Sequence, residues 1–272
     1  MLSYILFNTL IYGSIAFIVA SYYAYAKFLN ATLWGYMIIG AYVGISIIKY
    51  GLSLTSVWIL LGIVAFYFIV NTIVTRSFRN EKQRDLFGLI FTLGWSLIIE
   101  NFISLTYWPN AVSIDLREWT PVALIVTLII INIVLLYIFQ ISYNGKIRQA
   151  LSAQTNAIRS LGTRVDRMLM ILMSAILPCV MTLGIVVANE SAMKPSDNLF
   201  YLIKWIGIMI MVGVDKKQYM YLGALIYVIL EYLLFIRLGF PIGFKETLIL
   251  FMILAILLIK PEWLFSLRTR KL

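Results

Sequence analysis

The chain has 272 residues, of which 62% are hydrophobic and 12% charged, with a formal net charge of +10, one cysteine and no histidine. Soluble domains carry about 25% charged residues, so this composition, with a mean hydropathy of +0.94, excludes a water-soluble globular domain. The missing histidine excludes Ser-His nucleophilic chemistry and His-based metal sites, and a lone cysteine builds neither an internal disulfide nor a thiolate metal site.

A helix of about 20 residues crosses a hydrocarbon core of about 30 Å, and lipid leaves an open strand edge unsatisfied. The fold class expected is therefore all-α: a polytopic transmembrane bundle of about eight or nine apolar segments forming one membrane domain over 1–272. In chain order the segments fall at roughly 4–26, 30–48, 54–75, 86–107, 120–142, 168–189, 199–214, 219–238 and 244–260. The first is expected as a retained helix, because it lacks a basic leader region and its apolar run is too long for a signal peptide. Little more than Lys27-Phe28-Leu29 separates it from the second, and the seventh is short and carries Lys204, so re-entrant or broken helices fit these places.

Small residues mark the first two segments: Gly13, Ser14 and Ala16, then Gly35, Gly40 and Gly44, a pattern that permits close helix approach. Gly94-Trp95-Ser96 in the fourth has no base to activate the hydroxyl and is expected to serve packing alone. Polar side chains at membrane depth are costly and face a bundle interior or a wet cavity. Glu100, Asn101 and Glu231 are therefore candidates for a transport path or an interhelical tie, and Asn8, Asn71, Asn132 and Gln140 are expected to make interhelical hydrogen bonds. Tyr107-Trp108, Trp119 and Trp263 are placed as interfacial anchors.

Basic residues gather at Arg76, Arg79, Lys82 and Arg84, at Lys146 to Arg167, at Lys216-Lys217 and at Arg268, Arg270 and Lys271. The positive-inside rule makes these four clusters and the C-terminus cytoplasmic, in a multi-pass protein of the cell membrane. The positive charge then reads as membrane topology, with no nucleic-acid partner. No Gly-x-x-x-x-Gly-Lys-Ser/Thr loop occurs, so any ATP-derived energy comes from another chain. No enzymatic chemistry, cofactor or metal is expected.

One polar island, 144–167 (NGKIRQALSAQTNAIRSLGTRVDR), interrupts the apolar runs. As a helix over 147–161 it places Ile147, Leu151, Ile158 and Leu161 on one face and Arg148, Gln149, Ser152, Asn156 and Arg159 elsewhere, with Gly162 ending it. That pattern describes a surface helix lying across the membrane face, a docking element for a soluble partner or a helix resting on lipid headgroups.

Gly145-Lys146, Ala150, Ala157, Arg159, Leu161-Gly162 and Val165-Asp166-Arg167 resemble the cytoplasmic coupling segment of permeases of the branched-chain amino acid type of ABC transporter. Further segments are similar to that family in order: LIYGSIA at 10–16, Tyr36-Met37-Ile38-Ile39-Gly40-Ala41-Tyr42-Val43, Thr92-Leu93-Gly94 through Glu100-Asn101, and Lys260-Pro261-Glu262-Trp263-Leu264-Phe265. Where the family carries Asn-Phe-Ala-His-Gly, this chain has Asn30-Ala31-Thr32-Leu33-Trp34-Gly35; Met211-Val212-Gly213-Val214-Asp215 stands for its glycine-rich turn, and Gln149 for an arginine. The resemblance implies an importer subunit moving a small polar, amino acid-like solute by alternating access. Its implied partners are cytoplasmic ABC ATPases, a second permease subunit and an extracytoplasmic solute-binding protein. It implies ATPase coupling through Gly145, Arg148, Gln149, Ala150, Asn156, Ala157, Arg159, Leu161 and Gly162. The substrate-path candidates are Asn30, Trp34, Glu100, Asn101 and Glu231. The alternative from the residues alone is a stand-alone secondary transporter or channel that uses Glu100 and Glu231 as ion or proton sites.

Overall fold

A computed structural model describes residues 2–26, 28–50, 84–107, 121–137, 165–190, 192–213 and 219–237, together with positions 62, 65, 69, 70, 72, 139, 239, 247, 251, 254, 255 and 258. Among these the protein is all-α, with seven α-helices and no strand: α1 (Leu2–Ala26), α2 (Thr32–Tyr50), α3 (Arg84–Tyr107), α4 (Pro121–Leu136), α5 (Val165–Glu190), α6 (Asn198–Val212) and α7 (Met220–Glu231). Three stretches are long and apolar enough to cross a membrane: Tyr4–Ala24, Phe87–Leu105 and Met220–Arg237. Each coincides with a predicted apolar segment. The described helix α6, with 15 residues, is about 22 Å long and falls short of a full crossing. The island's coupling residues from Gly145 to Gly162 lie outside the described residues, as do the anchors Trp108, Trp119 and Trp263 and the amides Asn71 and Gln140; Val165, Asp166 and Arg167 form the first turn of α5.

The helices fall into two compact units, 1–24 with 199–272, and 25–198. In the first unit α1 carries no charged residue and runs antiparallel to α7. Ring contacts pair Tyr4 with Tyr232, Tyr12 with Tyr227 and Phe17 with Tyr221, one sequence rising as the other falls. Gly13 makes room for the Tyr221 ring, which a Cβ at that position would meet at 2.5 Å. α6 ends on Gly213, whose φ of +87° is left-handed and whose N–H donates to the Met209 carbonyl at 2.9 Å. This is the glycine C-cap that satisfies an orphan carbonyl at a helix end.

In the second unit α2 packs most extensively on α5 and next on α3. The α2–α5 contact is reciprocal: a Cβ at Gly40 would overlap the Met181 backbone, and one at Gly184 would overlap the Met37 carbonyl. Each glycine thus receives the backbone three residues before the other, an approach open only to residues without a side chain. The close approach expected of Gly40 is realised here. Gly94 behaves otherwise: it is exposed, and a Cβ there would meet nothing within 4 Å. Of the Gly94-Trp95-Ser96 triplet only Ser96 is buried, so the packing role expected of that glycine is corrected.

Candidate functional site

Lys204 on α6 and Glu231 on α7 meet inside the first unit. The lysine is 2% and the glutamate 5% exposed, with Lys204 Nζ 3.7 Å from Glu231 Oε1. That distance lies beyond the usual N–H···O range of about 2.7–3.2 Å, so the attraction is that of two charges in contact. The ammonium also sits over two aromatic faces, 5.1 Å from the Tyr201 ring centre and 5.4 Å from that of Tyr12. Tyr12 in turn meets Tyr227 edge to face, centroids 5.8 Å apart at 81°.

The chemistry follows from where the charges lie. Removing an ion from water costs several kcal/mol even after relaxation, and an apolar bundle returns little of it. An opposite charge and two ring faces contribute compensation, each cation–π contact worth roughly 0.5–2 kcal/mol. Helical geometry places the lysine correctly. Tyr201 and Lys204 are three residues apart on α6 and share a face, as Tyr227 and Glu231, four apart, do on α7. From the sequence Glu231 is a path candidate and Lys204 the charge of a short segment, and nothing in either pattern alone pairs them. Opposite charges within two successive apolar segments were the available signal.

The other candidates lie in the second unit. Asn30 is 2% exposed, and its Oδ1 accepts the Thr32 N–H at 3.0 Å and the Thr32 hydroxyl at 2.5 Å. This side-chain turn opens α2, the ordinary role of asparagine before a helix. Trp34 is fully buried in the first turn, its backbone N–H donating to Ala31 O at 3.3 Å. The Thr92 hydroxyl on α3 accepts the Ala31 N–H at 3.2 Å and has the Gly88 carbonyl 2.8 Å away. That joint ties the entry of α2 to α3, while the ring of Phe28 lies where a side chain at Gly88 would go.

Glu100 and Asn101 lie further along α3. Glu100 is half-buried and Asn101 exposed, close to Phe102 at 68% and Leu105 at 84% exposure. Asn101 Nδ2 donates to the Leu97 carbonyl at 2.8 Å on its own helix. Asn8 and Asn132 do the same, to Tyr4 O at 3.1 Å and Leu128 O at 2.7 Å. Asn8 and Asn132, expected to bond between helices, thus each donate to a carbonyl one turn back along their own helix. An amide in an apolar helix finds that carbonyl at hand without waiting for a second helix.

The structure therefore brings Asn30 and Trp34 to the start of α2, places Glu100 and Asn101 in the C-terminal half of α3, and buries Glu231 against Lys204 in the other unit. No family model, no curated protein and no solved structure matches the chain. The class that fold and site define is an all-helical protein with apolar helices of membrane-crossing length and a charge pair buried inside one bundle.

Proposed function

We infer that the chain is the transmembrane permease subunit of an ABC importer of the branched-chain amino acid type, moving a small polar, amino acid-like solute by alternating access. The observation that carries this reading is the order of the resembling segments along the chain, from 10–16 to 260–265. Three of them lie on described apolar helices at packing positions: Gly13 against Tyr221, Gly40 against Met181, and Thr92 against the entry of α2. In this reading eight or nine segments cross or enter the bilayer, and the basic loops and the C-terminus face the cytoplasm. ATP is split on a separate chain that docks on 144–167, and the helices rock around a midplane path shared with a second permease subunit. An extracytoplasmic binding protein delivers the solute.

The island supplies the test. Arg159 and Leu161 fall in the polar stretch 144–167 of the sequence, so replacing both by aspartate removes polar and apolar contacts to a docked subunit while leaving the apolar segments intact. We expect an ABC ATPase encoded beside this chain to co-purify with the parent and to be lost from the doubly substituted protein. Recovery of the ATPase at the parental ratio contradicts the docking assignment.

A further inference from the structure

Glu231 is the last residue of α7, and the six residues after it, Tyr232–Arg237, wind as a π-helix. At the junction the Tyr232 N–H is shared between the carbonyls of Val228 and Ile229. Hydrogen-bond registers to the third, fourth and fifth preceding residue therefore meet within a turn of the buried glutamate. A π turn holds one residue more than the α-helical turn before it, and π-bulges within helices are frequent at functional sites. When the extra residue migrates along a helix, each residue it passes turns by about 100° and moves by about 1.5 Å. For Glu231 that step leads to the azimuth of Leu230 or Tyr232, both half-buried.

Lys204 is arranged to survive such a step. Its ammonium is 3.7 Å from the carboxylate and already lies against the rings of Tyr201 and Tyr12, so it keeps two aromatic faces when the carboxylate turns away. A purely structural tie requires neither the irregular helix at the glutamate nor the second seat for the lysine.

We propose that Glu231 and the π turn after it form a conformational latch: the ion pair with Lys204 holds one register of Met220–Arg237, and migration of the π turn past Glu231 releases it. In the released register the lysine rests on Tyr12 and Tyr201 and the carboxylate turns to the half-buried azimuth of Leu230 or Tyr232. The latch is a property of this unit and stands whether transport is driven by ATP or otherwise.

Fluorine NMR on the full-length chain in lipid nanodiscs reads the register directly. A trifluoromethyl label is placed at Leu233→Cys, an exposed position in the π turn, with the native thiol removed by Cys179→Ser. Two resonances are expected, one for each register. Glu231→Gln weakens the pair and should move the population toward the released resonance by about tenfold. A single resonance in the labelled parent, or populations that Glu231→Gln leaves unmoved, overturns the latch. Should that variant not fold, deletion of Leu234, which removes the extra residue, reads the same register: one resonance supports the latch and two overturn it.

Discussion

Around α7 helices are joined by large and charged side chains, Tyr12, Tyr227, Lys204 and Glu231, whereas between α2 and α5 the backbones themselves meet at Gly40 and Gly184. The first arrangement leaves the helices held by groups with more than one low-energy position, since an ammonium can rest on a carboxylate or on a ring. The second allows no such choice, because two backbones in contact at reciprocal glycines have nowhere to slide without collision. One protein thus contains a joint suited to movement and a joint suited to rigidity, each made with the chemistry that works where no water is present.

The largest effect expected from breaking this comparison is at the charged joint. Glu231→Leu alone leaves Lys204 with two ring faces but no opposite charge and should lower stability by up to about 3–5 kcal/mol, whereas Lys204→Met with Glu231→Leu removes both charges and should return to within about 1 kcal/mol of the parent. Unfolding midpoints in detergent check this, and a double variant no better than the single shows that the two residues do not act as a pair. At the glycine joint Gly40→Ala should cost about 1–3 kcal/mol, since the added methyl drives into the Met181 backbone. The smallest change sharpens the contrast: Gly94→Ala meets open space and should gain up to about 1 kcal/mol from helix propensity. Equal losses at Gly40 and Gly94 would remove the distinction between packed and open glycines.

Apolar run length made the helices legible, because crossing hydrocarbon constrains length and composition together. The predicted segment at 4–26 is α1 and that at 168–189 is α5, each within three residues of the observed ends. Partnerships were less legible. Glycine spacing drew attention to Gly40 and Gly44 on one helix, whereas the close approach is made by Gly40 with Gly184, a residue 144 positions away whose facing side no periodicity reveals. Glu231 could be recognised as costly from its apolar neighbours. Its compensation by Lys204 depends on how α6 and α7 are rotated, and that is decided by tertiary packing. The π-helical stretch at Tyr232–Arg237 has no composition signal either, since YLLFIR is equally at home in an α-helix.

The central proposal, that transport through this chain is powered by ATP on a partner, is tested most directly by uptake into proteoliposomes carrying the chain with Glu100→Gln, with and without the proposed ATPase and ATP. The substitution keeps the size of the side chain and most of its hydrogen bonds and removes its ability to exchange a proton. ATP-dependent uptake that survives it is the predicted result. Loss of transport in a well-folded variant, or uptake by the parent driven by a proton gradient alone, would contradict the account.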